Sequence, residues 1–81
     1  MRLLFTAHFN RAYAKAPDKI RQAFDKQSRL LLHDLRHPSL RAKKYKEVED
    51  KWQARVTGAW RFYFRIVGDA YIVTDIIPHP K

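Results

Sequence analysis

From Trp52 onward the hydrophobic pattern changes period. Trp52, Ala54 and Val56 alternate with Gln53, Arg55 and Thr57, and Phe62, Phe64 and Ile66 alternate with Arg61, Tyr63 and Arg65. A period of two sends successive side chains to opposite faces of an extended chain, so these are two half-buried strands joined by a turn over 57–59. Gly68 and Asp69 supply the next hairpin turn, and the last strand, 70–77, is apolar on both faces, as in the middle of a covered sheet. Upstream the period is helical. Residues 2–6 suit a strand, and Thr6 is positioned to cap a helix carrying Phe9, Ala12, Tyr13 and Ala16 at i, i+3, i+4 and i+7. That helix should stop at Pro17, which with Asp18 opens a second helix bearing Ile20, Ala23, Phe24, Leu31 and Leu35 on one face. Residues 37–51 read as a long connection anchored by Leu40, Tyr45 and Val48, with a short extended piece over 40–45. The order is β-α-α-β-β-β, an α+β domain whose mostly antiparallel sheet carries two N-terminal helices on one face.

Eighty-one residues build one core, so the expectation is a single domain over 1–81. With 46% hydrophobic residues and no cysteine, its stability must come from packing, which fits a reducing compartment. No apolar run approaches the roughly 20 residues that span a bilayer, and Arg2, His8 and Asn10 interrupt any signal-peptide core, so the chain reads as cytoplasmic and not membrane-bound. Seventeen Lys and Arg against eight Asp and Glu give a net charge of +9. That field favours polyanions, nucleic acid first among them, although a solvated basic surface or a face masked by an acidic protein has the same composition.

Strand parity sorts the charges. Phe62, Phe64 and Ile66, with Ile72 and Ile76, are expected to meet the helices; Arg61, Tyr63 and Arg65 then share the other face, with Arg55 beside them if the hairpin pairs in ordinary register. Continuing the odd positions of the last strand through Tyr71, Val73, Asp75 and Ile77 brings His79 to that face. Guanidinium groups bind phosphate oxygens in pairs and stabilise the charge that grows in phosphoryl transfer, while an imidazole exchanges a proton near neutral pH, so the set suits a phosphodiester and requires no metal. The plainer reading is that strand arginines lie over rings or pair with acids, and that a histidine so near the C-terminus is solvated. His33 and His37 are four apart, but Pro38 follows directly and no carboxylate-rich shell accompanies them, so surface histidines are expected there. Lys43, Lys44 and Lys46, with Arg41 and Tyr45, suit backbone phosphate contacts or a solvated loop, and Glu47, Glu49 and Asp50 partly neutralise them. Asp18, Asp25 and Asp34 read as helix capping and solvation.

The segments FNRAYAKAPDKIRQAF, LRHPSLRAKKYK, WQARVTGAWRFYFRI and IIPHPK, in that order, resemble the RelE/ParE superfamily of type II toxin–antitoxin toxins over nearly the whole chain. The resemblance implies the same β-α-α-β-β-β order. For the RelE-like branch it also implies a ribosome-dependent mRNA endoribonuclease that drives the ribose 2′-OH onto the adjacent phosphate and leaves a 2′,3′-cyclic phosphate, without metal or other cofactor. Arg61 matches the arginine at the scissile phosphate, Arg55 a second basic residue beside it, and His79 the C-terminal proton donor or phosphate ligand. Lys43, Lys44 and Lys46 stand where members carry RNA- and ribosome-contacting lysines; Arg41, Tyr63 and Arg65 complete the expected RNA- and ribosome-binding set. Gln53 replaces a frequent glutamate, and Pro80 and Lys81 follow His79 where many members have a tyrosine, so the general base is unassigned. The ParE-like branch shares the fold and inhibits DNA gyrase, and a non-toxic basic nucleic-acid-binding module is the third reading. Either toxin implies a cognate acidic antitoxin protein as partner; the nuclease adds mRNA and the ribosome.

Overall fold

Strand β1 (Arg2–Phe5) ends at Thr6, whose Oγ1 accepts a hydrogen bond from the Phe9 N–H at 3.0 Å and so caps α1 (Ala7–Lys15). The structure is a computed structural model, and it describes residues 1–46 and 50–79, with the side chain of Lys46 outside the description. α1 stops where expected. Pro17 holds Ala16 extended, at φ −73° and ψ 148°, and α2 (Asp18–His33) begins on its far side. The buried stripe of α2 is Phe24, Gln27, Ser28 and Leu31, at i, i+3, i+4 and i+7, so two polar residues sit among the apolar ones.

The sheet contains β1, then β2 (Lys43–Lys46), β3 (Lys51–Arg55), β4 (Trp60–Val67) and β5 (Ala70–Pro78), in the spatial order β1-β5-β4-β3-β2. β1 runs parallel to β5 and every other pair is antiparallel. The α+β expectation holds, and the extended piece foreseen over 40–45 is the edge strand β2, which adds a strand to the expected order. The anchor Val48 and the neutralising Glu47 and Glu49 lie outside the described residues, as do Pro80 and Lys81. Asp50 does pair with Lys44, at 3.3 Å. Gly68, at φ +57°, makes the left-handed turn that joins β4 to β5.

Phe62 and Phe64 are fully buried and face the helices, with the Phe24 ring edge-on to Phe62 at 5.1 Å between centroids. Phe9, Leu31, Leu40, Ala54, Val56, Tyr71, Val73 and Ile76 complete this core. The core expected from the sequence therefore holds for Phe62, Phe64, Phe24, Leu31 and Ile76, but not for Ile72. Opposite β4 the register runs Phe62 to Ile76 and Tyr63 to Asp75, then jumps to Phe64 and Val73, leaving Thr74 unpaired. This bulge reverses the parity of β5: Tyr71 and Val73 point into the core, whereas Ile72 lies opposite Arg65. The Thr74 Oγ1 donates to the Tyr63 carbonyl at 3.3 Å, and the Thr74 carbonyl accepts from Thr6 Oγ1 at 3.4 Å.

Deleting Thr74 would join Val73 to Asp75 and make the ladder regular, so Tyr71, Val73 and Ile76 would all still face the core. The cost should therefore be limited to the two Thr74 hydrogen bonds, about 1–2 kcal/mol, read as a modest fall in the denaturation midpoint. A loss of about 3 kcal/mol or more, the size of a core truncation, would show that the bend at the bulge is itself needed for packing.

Candidate functional site

Burying Phe62 and Phe64 leaves the other face of β4 to Arg61, Tyr63 and Arg65, and the β3 register sets Arg55 opposite Arg61, Gln53 opposite Tyr63 and Lys51 opposite Arg65. Two of these three rungs put like charges directly across from each other, an arrangement that opposes folding. Arg55 and Arg61 open onto a cleft of about 500 Å³, which is also lined by Arg41, Lys43, Tyr45, Gln53 and His79. None of these described lining residues is acidic.

The 56–59 turn gathers the three residues expected to be catalytic. Arg55 ends β3 just before it, with its N–H donating to the Leu40 carbonyl at 2.7 Å. Arg61 follows it and folds back, Nη1 donating to the carbonyls of Thr57 at 2.7 Å and Trp60 at 3.0 Å, with Gly58 at 3.3 Å. One edge of that guanidinium is thereby anchored, and its other nitrogens have no hydrogen-bond partner among the described residues. His79 is joined through its backbone, whose N–H donates to the Ala59 carbonyl at 2.6 Å, and its side chain is exposed. Beyond the bulge, Asp75 and Ile77 lie opposite Tyr63 and Arg61, so the strand delivers His79 to the cleft. Arg41 reaches it from a left-handed backbone at φ +46°, which a non-glycine residue adopts only under constraint.

Electrostatically the described lining of the cleft is cationic, with Arg41, Lys43, Arg55 and Arg61 and no acidic residue. Burial first, then the cations of Arg41 and Arg61, push Arg55 down from the usual guanidinium range; it remains cationic at neutral pH. Its Nε is buried without a hydrogen-bond partner among the described residues, a deficit that a bound acceptor would remove. Convergent guanidinium groups around an imidazole can bind a phosphodiester, stabilise added charge on its oxygens and move a proton.

The other expected binding residues divide. Arg41 and Lys43 line the cleft. Tyr63 stands on the next rung, its ring edge-on to that of Tyr45 at 5.6 Å, with the Lys51 ammonium 5.9 Å above it. Arg65 is exposed one rung beyond Tyr63 and does not line the cleft. Lys44 pairs with Trp52, on the helix side of the sheet, its ammonium 5.8 Å from the indole. Lys46 lies on β2, paired with Lys51. Tyr45, grouped with the basic cluster in the sequence, lines the cleft as well; Gln53 lines it without having been singled out for it, and the signal was its place two residues before Arg55 on the same face of β3. Among the described residues, no group of three or more His, Cys, Asp or Glu side chains is arranged to hold a metal ion, and no helix is long and apolar enough to cross a membrane.

No protein-family profile and no curated protein matches the sequence. Solved structures do. A YoeB/ParE toxin from Agrobacterium tumefaciens superposes with a TM-score of 0.81 at 17% identity, covering 99% of this chain and 100% of its own. The chain has the fold of the RelE/ParE toxins. The same RelE-type fold links it to the YoeB dimer from Staphylococcus aureus, with a TM-score of 0.80 at 8% identity over 99% of this chain and 98% of the other. It is also similar to the archaeal RelE–RelB complex from Pyrococcus horikoshii, with a TM-score of 0.78 at 15% identity over 95% and 92%.

Tyr63 stays neutral to higher pH than a free phenol: burial first, then Tyr45 and Asp75, push it above the ordinary value of 10.0, against the pull of Arg61. Tyr13 and Tyr71 are raised too, chiefly by burial. The native state thus binds more protons than the unfolded chain in this range, so this stability is complete below the unfolded phenol value and is lost as pH rises through the folded ones. Thermal melts between about pH 9 and pH 11 should fall steadily, and Tyr63→Phe should flatten the fall. An unchanged slope in that variant would place Tyr63 in water.

Proposed function

We propose that this chain is the toxin of a type II toxin–antitoxin system and acts in the cytoplasm as a ribosome-dependent mRNA endoribonuclease. One observation carries the reading: Arg55 and Arg61 are cross-strand partners, and His79 is tied by its backbone to the turn between them, in a cleft whose described lining holds no acid. The RelE-type fold of the neighbours supports the toxin class.

In this reading the ribose 2′-oxygen attacks the adjacent phosphorus and the bond to the 5′-oxygen breaks. Arg55 and Arg61 balance the charge that builds on the non-bridging oxygens, and His79 gives its proton to the leaving 5′-oxygen. The 2′-OH proton passes to water or to a group of the ribosome, since the described lining of the cleft supplies no carboxylate for it. Positioning by the ribosome then supplies much of the rate, because an RNA held in line for attack needs little further chemistry from the protein. Arg41 and Lys43 hold flanking phosphates. An acidic antitoxin neutralises the toxin by covering the same cations.

Induced expression with primer extension across a reporter mRNA tests this. Wild type should produce cuts in register with codons, and His79→Ala and Arg61→Ala, each with a wild-type melting curve, should reduce them by about two orders of magnitude or more. Growth arrest with intact mRNA would point instead to a gyrase-type target, and unimpaired growth to a basic binding module. Antitoxin affinity should fall steeply with added salt if the cleft cations dominate the contact; a salt-independent affinity would place the antitoxin elsewhere.

A further inference from the structure

Gln27 lies in the middle of the buried stripe of α2, only 4% exposed, where packing alone would favour Leu or Met. Its Nε2 donates to the Ser39 carbonyl at 3.1 Å and the Arg55 carbonyl at 2.9 Å, and its Oε1 accepts from Ser39 Oγ at 3.2 Å. Three of the four hydrogen-bond positions of the amide are filled, all from the two chain segments that bring cations to the cleft. Arg55 is one of those segments; Ser39 stands two residues before Arg41 in the other. The Arg55 N–H to Leu40 carbonyl bond closes the same junction, and Arg41 follows at φ +46°.

Something must hold these segments together, because Arg41 and Arg55 repel each other across the cleft. An ion pair at the junction would do so at the expense of the field, as a carboxylate there would cancel part of the positive potential. A neutral amide joins the two backbones and leaves the charge intact. We infer that Gln27 is a positioning residue for the cleft, its amide fixing the backbone of Arg55 and the turn that carries Arg41 so that both guanidinium groups face the same phosphate backbone. The assignment rests on the phosphate-binding reading of the cleft.

Gln27→Met keeps the volume and removes the hydrogen bonds, and Ser28→Ala is the control. Ser28 is the next residue of α2, also buried, and among the described residues its Oγ donates only to the Asp25 carbonyl, at 2.8 Å. Two readouts are needed. The first is binding of a single-stranded RNA oligonucleotide, 2′-deoxy at the attacking position, followed by fluorescence anisotropy at increasing salt. The second is solvent exchange of the Arg55 Nε–H by NMR in the free protein, with exposed Arg65 as the reference. Gln27→Met should weaken RNA binding about tenfold, flatten the salt dependence by about one phosphate contact, and speed Arg55 Nε–H exchange towards that of Arg65. Ser28→Ala should lower the melting temperature and move neither readout. Should Gln27→Met fail to fold, Ser39→Ala removes one bond of the junction from an exposed position and should shift both readouts the same way by less. Wild-type exchange at Arg55 in the folded variant overturns the assignment and leaves Gln27 a packing residue. If wild type itself does not bind the RNA, the phosphate reading of the cleft fails, and the exchange measurement alone decides whether Gln27 holds Arg55.

Discussion

Burial of Phe62 and Phe64 beneath α2 is the constraint from which the rest of the molecule follows. A strand has two faces, and once one is filled by these rings, with Phe24 edge-on above Phe62, the residues between them must face outward. Arg61, Tyr63 and Arg65 are outward for that reason. The tight turn after Arg55 then sets Arg55 across from Arg61. A single-residue slip of β4 would expose both phenylalanines and bury two arginines, so hydrophobic packing specifies the charged face as firmly as it specifies the core.

The fold then has to hold together what electrostatics would separate. Arg61 is anchored by the carbonyls of the turn it follows, His79 by a backbone bond to the same turn, and Arg55 by backbone bonds to Leu40 and Gln27. None of these anchors is an ion pair. Carbonyl oxygens and an amide orient the cations without neutralising them, which separates this cleft from the opposite side of β2, where Lys44 meets Asp50 at 3.3 Å. A surface serving only solubility has no need of that distinction, since paired and unpaired exposed charges contribute similarly little to stability.

What the sequence made legible follows from how local each determinant is. Helix starts at Thr6 and Pro17, the turn at Gly68 and the Arg55–Arg61 pair all depend on neighbours within a few residues. β5 was harder, because its parity depends on Thr74, an extra residue visible only against β4 and β1. Counting straight through the strand sent Tyr71 and Val73 outward and Ile72 inward, the reverse of what the bulge produces, while the portion after the bulge, Asp75 to His79, was placed on the correct side. Gln27 was illegible for a different reason: amphipathic periodicity counts a polar side chain as facing water, and its partners Ser39 and Arg55 are 12 and 28 residues away. Lys44 follows Lys43, and composition cannot say which of the two the strand turns towards the cleft, whereas Arg65 shares the cleft's face as parity expects but stands one rung too far along β4 to line it.

The like-charge rungs also bear on how such a domain would be regulated. Arg55 opposite Arg61 and Lys51 opposite Arg65 lower the stability of the free protein, and a ligand that binds only the folded state and supplies negative charge restores it in proportion to its occupancy. RNA and an acidic protein would satisfy the same charges and so exclude one another, without any conformational change to carry the signal. Their competition would differ in form. An RNA backbone spaces its charges regularly and is held through counterion release, whereas a folded or folding protein adds apolar contacts that salt does not weaken. Exposed Leu4 and Phe5 on the opposite sheet edge offer such contacts far from the cleft, in contrast to the lysine-bearing edge at β2. A partner reaching both regions would retain affinity at ionic strengths where RNA is released, so the balance between the two ligands would depend on salt even though both read the same arginines.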